Sequence, residues 1–228
     1  MKIPPRLHLL WRRLRANHSA SFNLSHSQFG EDMVLRSLTR DRPSGFYVDV
    51  GAHHPFFYSN TFHFYSKGWR GINIDAVPGS MKSFLPLRPR DINLEACVGT
   101  PGRWVEFSIF EEQTLNTMDA EVASKLVQEG RSRLLSKEKL MTQSLAQILR
   151  SHVPRGQAID FLSVDVEGAD LEVLQSNDWD VFRPEFIVVE SHGTELLKIH
   201  QVPVAGFLAT HNYAPVAATG PSLIFSRS

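Results

Sequence analysis

The chain has 228 residues, of which 42% are hydrophobic, and its 24 basic and 24 acidic side chains leave a net charge of zero. That length and apolar fraction suit one sizeable domain and exclude a disordered chain, and the even charge balance excludes a global basic field for DNA or RNA. The single cysteine, Cys97, excludes an internal disulfide and fits a reducing cytoplasm.

Residues 1–26 read as a basic extension. Lys2, Arg6, Arg12, Arg13 and Arg15 surround Leu7, Leu9, Leu10, Trp11 and Leu14, with no acid among them. Two readings stand for residues 1–20: a basic amphipathic helix making peripheral contact with an anionic membrane, or a solvated leader. No apolar run approaches the roughly 18–20 residues of a membrane span. The expected location is cytoplasmic, at the inner face of a membrane if the helix reading holds.

From residue 27 to 228 strands and helices alternate. "GEDMVLRSL" has helical spacing, and "GFYVDVG" (45–51) is a strand rich in β-branched and aromatic residues. "SNTFHFYSKG" opens with capping residues and stops at Gly68, so it reads as a helix. "WRGINID" (69–75) is a second strand, "PGSMKSFLPL" a helix begun near Pro78, and "DINLEACVG" (91–99) a third strand. "RWVEFSIF" (103–110) reads as a strand paired with its predecessor or lining an edge. Residues 111–141 are a polar, irregular insertion with helical stretches near 119–129 and 132–140, long enough to be an acceptor lid. A helix over 142–152 capped by Thr142, a buried strand (159–168), a short helix, a second buried strand (184–193), a helix (202–212) and a closing hairpin around Gly220 and Pro221 complete the chain.

This order predicts a mostly parallel sheet covered by helices on both faces, with a crevice at the carboxyl ends of its strands. Several polar residues fall at those ends. Gly51 follows the first strand, where a glycine admits close backbone approach, with Ala52 beside it as the floor of a cofactor site. Asp75 ends the next strand, where a carboxylate grips ribose hydroxyls. The loop between them carries His53, His54 and Pro55 in place of further glycines, so a pyrophosphate is a poor fit and S-adenosylmethionine a better one than NAD. His53 faces this ligand or bonds to backbone. Asp49 orients the loop or meets the cofactor, Gln28 and Asp32 share one helical face that closes over it, and Asn60 opens a helix at the same crevice.

The later strand ends carry Asp165 and Glu167, then Glu190 and His192, each pair separated by one residue so that both side chains point the same way. As a set, Asp165, Glu167, Glu190 and His192 are candidate ligands for Mg²⁺ or Mn²⁺. Without a metal, Asp165 or His192 serves as general base, with Glu190 in the catalytic group. Helix capping by Glu167 and a turn role for His192 are the plainer alternatives. In the insertion, Asn116 and Thr117 are hydrogen-bonding candidates for an acceptor.

The segments "SQFGED" (27–32), "GFYVDVGAHHP" (45–55), "SNT" (59–61), "GWRGINIDAVPGS" (68–80), "FLSVDVEGADLEVL" (161–174) and "FIVVESH" (186–192) together resemble the FkbM-type S-adenosylmethionine-dependent methyltransferases. The resemblance implies an α/β class I methyltransferase (Rossmann-like) fold, with a seven-stranded sheet whose last hairpin is reversed. It also implies O-methylation of a hydroxyl, on a saccharide, glycolipid or related natural product, with no nucleic-acid partner. A NAD-dependent Rossmann enzyme would want a Tyr-x-x-x-Lys pair, and Tyr65 and Lys67 have the wrong spacing. A non-catalytic binding module would show a damaged cofactor site, whereas Gly51, Asp75 and Asp165 are all present.

Overall fold

A computed structural model describes residues 23–193 and 195–228. The expected membrane-contacting segment, residues 1–20, lies outside them. No helix among the described residues is long and apolar enough to cross a membrane.

The elements run α1 (Glu31–Leu38), β1 (Phe46–Val50), α2 (Phe62–Ser66), β2 (Arg70–Asp75), α3 (Met81–Leu87), β3 (Ile92–Glu95), β4 (Cys97–Val98) and β5 (Trp104–Phe110). Then come α4 (Ala120–Gln128), β6 (Leu134–Gln143), α5 (Leu145–His152), β7 (Phe161–Val164), α6 (Asp170–Gln175), β8 (Phe186–Glu190), α7 (Pro203–Thr210), β9 (Tyr213–Thr219) and β10 (Ser222–Arg227).

Seven strands form one sheet in the order β3-β2-β1-β7-β8-β10-β9. The first five are parallel, and β10 runs antiparallel to both β8 and β9. This is the class I methyltransferase fold that the resemblance implies. Every residue of β1 is buried, because helices cover both faces of the parallel strands. Val48 and Val50 join the larger apolar cluster on one face, and Tyr47 joins Leu35, Phe64, Trp69 and Phe161 on the other. The chain begins in the middle of the sheet, winds outward through β2 and β3, and returns to place β7 beside β1. That reversal opens a crevice past the carboxyl ends of β1 and β7.

The insertion differs from the expected arrangement. Residues 120–128 are helical, but 134–143 form a ten-residue strand, not a helix. Its helix-forming residues are overridden by pairing with β5, where Lys137 meets Glu106 at 2.5 Å and Lys139 lies over the Trp104 ring. β5 pairs with β6 and not with its predecessor, and β6 also holds β4 on its other edge, from Cys97 opposite Thr142. Thr142 therefore belongs to a strand, and its hydroxyl donates to the Thr100 and Arg103 carbonyls. The cap of α5 is Ser144, which accepts from the Gln147 amide while the Gln147 side chain accepts from the Ser144 amide.

Candidate functional site

The crevice is a cavity of about 520 Å³. Its walls come from the loops after β1 and β2, the turn between β3 and β4, the loop after β7, and the β5–β6 insertion. β5 contributes Phe107, Ile109 and Phe110 to the wall and the insertion contributes Asn116 and Leu135, so the insertion is part of the cavity and not a separate module.

Gly51 shapes the floor. Its φ of +83° lies in the left-handed region, and its amide and that of Ala52 donate to the Ile74 carbonyl at 2.9 and 3.0 Å. A Cβ on Gly51 would stand 1.7 Å from the Asp165 carbonyl oxygen, so only glycine lets the end of β1 lie against the end of β7.

Asp75 faces the same cavity with both oxygens engaged from behind. The His53 amide donates to Oδ2 at 2.9 Å and the Val77 amide to Oδ1 at 2.8 Å. Burial raises its pKa, and these two amides and the nearby imidazole oppose that. Each oxygen keeps a lone pair for a ligand hydroxyl. Ser80 Oγ is buried beside the carboxylate and, with the amides, opposes the rise in its pKa. A fixed carboxylate with a hydroxyl beside it suits a polyhydroxylated ligand such as a ribose.

The two histidines divide their work. His53 has a φ of +50°, and burial lowers its pKa, which keeps the ring neutral. His54 Nδ1 accepts from the Phe56 and Phe57 amides at 3.1 and 3.0 Å, closing a turn. Both rings line the cavity.

Gln28 also lines the cavity; Asp32, Asp49, Ala52 and Asn60 do not. Asp32 is buried and accepts from Ser25, Ser27 and the His26 amide, so it ties residues 25–27 to α1. Asp49 is fully buried and accepts from Thr61 Oγ1 at 2.9 Å, with its pKa raised to about 6 by desolvation. Asn60 donates to Ser163 on β7 at 3.0 Å. These side chains hold the first loop from its outer side.

A residue that the sequence does not flag is central to that outer layer. Arg88, just past α3, is completely buried and paired with the equally buried Asp91 at 2.8 Å. Its other nitrogens donate to the Pro55 carbonyl, the Tyr47 hydroxyl, Thr61 Oγ1 and Asn73 Oδ1. One guanidinium thus links the loop after β1 to β1, β2 and α2. In the sequence it stands in "LRPRD", which reads as an ordinary charged turn.

The second group of acids gathers past β7 and β8. Asp165 and Glu167 line the cavity, whereas Glu190 and His192 do not. The pKa of Asp165 is pushed well above the carboxylate range by burial and then by the nearby carboxylates of Glu190, Glu167 and Asp170. Burial and the charges of Glu190 and Asp170 raise Glu167 to about 8. Asp170 instead organises the turn, accepting from the Val166 and Gly168 amides at 3.2 Å each. His192 Nε2 meets Glu190 Oε2 at 3.0 Å, with its own side chain 70% exposed. Ligand atoms of Glu167, Glu190 and His192 lie within 4.8 Å of one another. Asp165, the fourth expected metal ligand, is not in that group.

Asn116 lines the cavity while its Oδ1 accepts from the Phe110 amide at 2.7 Å. Thr117 donates to the Glu167 carbonyl at 2.8 Å and so fastens the insertion to the acid loop. Among the described residues, three non-glycine positions with positive φ line this one cavity: His53, Tyr58 and Glu167. Such conformations cost about 1–3 kcal/mol each and cluster where side chains must be aimed.

The family described as "Methyltransferase FkbM domain" matches residues 49–208. No curated protein sequence matches the chain. Similar solved structures include the 1,6-didemethyltoxoflavin-N1-methyltransferase of Burkholderia thailandensis, with bound 1,6-didemethyltoxoflavin and S-adenosylhomocysteine. It is 11% identical over 100% of this chain and 92% of that one, with a TM-score of 0.46. A TehB-like SAM-dependent methyltransferase from Corynebacterium glutamicum is 10% identical over 99% and 100% of the two chains, with a TM-score of 0.41. The small RNA methyltransferase HEN1 is 12% identical, covering 91% of this chain and 27% of that one, with a TM-score of 0.41.

Proposed function

This chain belongs to the FkbM methyltransferase family, a family of S-adenosylmethionine-dependent methyltransferases, and from that premise we propose that it methylates a hydroxyl of a saccharide, glycolipid or related natural product. The observation that carries the reading is that Asp75, with Ser80 beside it, shares one cavity with Asp165 and Glu167. S-adenosylmethionine, when bound, supplies an electrophilic methyl group on a sulfonium centre. Asp75 and Ser80 would hold the ribose hydroxyls, over the floor made by Gly51 and beside His53.

The acids favour oxygen as the acceptor atom. A hydroxyl is a poor nucleophile until its proton has somewhere to go, so a carboxylate within reach assists it. Asp165 takes that role, because it faces the cavity. Burial and the neighbouring carboxylates raise the pKa of Asp165, which makes it a stronger base once ionised. Phe107, Ile109 and Phe110 give the same cavity an apolar wall.

Calorimetry with S-adenosylhomocysteine tests the cofactor half. The Asp75→Asn variant replaces one acceptor oxygen by a donor and removes the charge. A hydrogen bond to a charged group contributes about 1.5–3 kcal/mol, so affinity is expected to fall at least ~10-fold. Unchanged affinity, or tight binding of NAD in place of S-adenosylhomocysteine, would overturn the assignment.

A second reading adds a divalent cation. The close approach of Glu167, Glu190 and His192 favours it, as does the fact that every charge raising the pKa of Asp165 and Glu167 is another carboxylate. Those three residues would hold Mg²⁺ or Mn²⁺, and the oxygen-rich set suits a hard ion. Such an ion, when bound, acidifies a hydroxyl that it contacts. The expected outcome is loss of methyl transfer after chelation and its return with added Mg²⁺ or Mn²⁺. Turnover that chelation leaves unchanged removes the cation and retains Asp165 as the base.

A further inference from the structure

Two irregularities of the backbone bring apolar side chains to the mouth of the cavity. The β5–β6 ladder places Ile109 opposite Ser136 but Phe110 opposite Leu134, so Leu135 is left over as a bulge. Leu135 lines the cavity and is still 51% exposed. On the loop after β1, Tyr58 is held at a φ of +55°, lines the cavity, and is 59% exposed. A bulky residue rarely adopts that conformation without a reason. Its neighbour Phe57 is 60% exposed and packs on His54, itself on the wall, with ring centroids 5.0 Å apart.

Single exposed apolar residues are ordinary on a protein surface, whereas a group of them around one opening marks a ligand or interaction site. Here the group has two separate origins, a bulge in the insertion and a left-handed residue in the first loop. Both deliver their side chains to the rim of the cavity that holds the acids. A wholly polar acceptor would gain nothing from such a rim.

We infer that the acceptor is amphiphilic. Its hydroxyl-bearing head enters the cavity toward Asp165, and an apolar chain or ring lies across Tyr58, Phe57 and Leu135. The inference rests on the hydroxyl-methylation reading above and specifies the substrate class for that same site. The apolar part adds binding by removing its own surface and the rim's from water, so affinity grows with its length.

The test uses the full chain loaded with S-adenosylhomocysteine. Methyl, hexyl and octyl β-glucosides serve as probes, titrated calorimetrically below their micelle concentrations. A fully buried methylene is equivalent to about fourfold in affinity and a half-buried one to about twofold. The expected series therefore steepens by about two- to fourfold per methylene. In a Phe57→Ser/Leu135→Ser double variant whose thermal unfolding is unchanged, that dependence flattens. Equal affinities across the series, or a steep series that the double variant retains, overturn the inference. Dimerisation through the rim, seen as a concentration-dependent mass lost in the double variant without any chain-length effect, also overturns it. Failure of the unmodified chain to bind S-adenosylhomocysteine strikes instead at the reading on which the inference rests.

Discussion

Gly51→Ala is expected to destabilise the protein by about 2–5 kcal/mol and to abolish binding of S-adenosylhomocysteine. Two costs add. A left-handed backbone costs a residue with a Cβ about 1–2 kcal/mol, and forcing an extra methyl into a packed site typically costs about 1–3 kcal/mol more. The second cost is unavoidable here because the obstruction is the Asp165 backbone carbonyl, 1.7 Å from the new carbon, and not a flexible side chain. Relief requires β1 to move away from β7, and the floor of the cavity opens along the line that joins the cofactor half to the acids. At about 2–4 °C per kcal/mol for a domain of this size, the melting temperature drops by roughly 4–20 °C. Gly79→Ala is the control. Gly79 has nearly the same φ, +84°, but a Cβ there meets only the Lys82 side chain, at 3.6 Å and beyond. It should bear only the backbone cost. Equal losses at the two positions would show that the contact between strand ends is not what Gly51 serves.

Arg88→Met is expected to cost about 3–5 kcal/mol, the range for removing one partner of a buried ion pair. Asp91 would keep its charge with no cation beside it, while accepting from the Tyr47 hydroxyl, the Gly71 amide and Asn73. The loss should appear as a lower urea midpoint with an unchanged slope. Arg88→Met combined with Asp91→Asn should recover about 1 kcal/mol or more, because the substituted carboxamide is neutral and still offers an acceptor to the Gly71 amide. The Arg88→Met change also frees the Pro55 carbonyl, and with it the loop that presents His53 to Asp75. Cofactor affinity should therefore fall even at temperatures where the variant is folded. A cost below about 1 kcal/mol would mean that water replaces the guanidinium and that the pair is not the buried hub described above.

The alternation of strands and helices, the closing hairpin and the strand-end positions of Gly51, Asp75 and Asp165 were legible from residue pattern alone, while the reversed place of that hairpin in the sheet came with the family resemblance. A parallel strand buried on both faces is a short run of β-branched and aromatic residues whatever surrounds it, as "FYVDV" and "FLSV" are. The first residues past such strands reach the crevice because the topology leaves them no other place. "LLSKEKLMTQ" was not legible as a strand. Its residues favour a helix locally, and its conformation depends on β5, about thirty residues away in sequence, and on β4 beyond that. The same limit hid the true cap of α5: Thr142 and Ser144 are equally good capping types, and only the strand pairing that takes Thr142 leaves Ser144 to serve.

Within the site, sequence alone nominated carboxylates but could not sort them. Asp49, Asp75 and Asp165 all end or flank parallel strands, yet Asp75 and Asp165 face the cavity while Asp49 turns to Thr61 on the opposite face of β1. Which face a side chain takes is settled by period-two alternation in a fixed register, and a register is a relation between strands. Arg88 makes the same point more strongly. Its charge is visible in the sequence, but its burial, its pairing with Asp91 and its hold on the Pro55 carbonyl arise only when four separate segments meet. Local pattern determined the fold and the rim on which chemistry occurs, because periodicity and turn residues act over a few positions. Which carboxylates face the cavity, the bulge at Leu135 and the buried guanidinium were decided by tertiary packing, because each depends on contacts between residues distant along the chain.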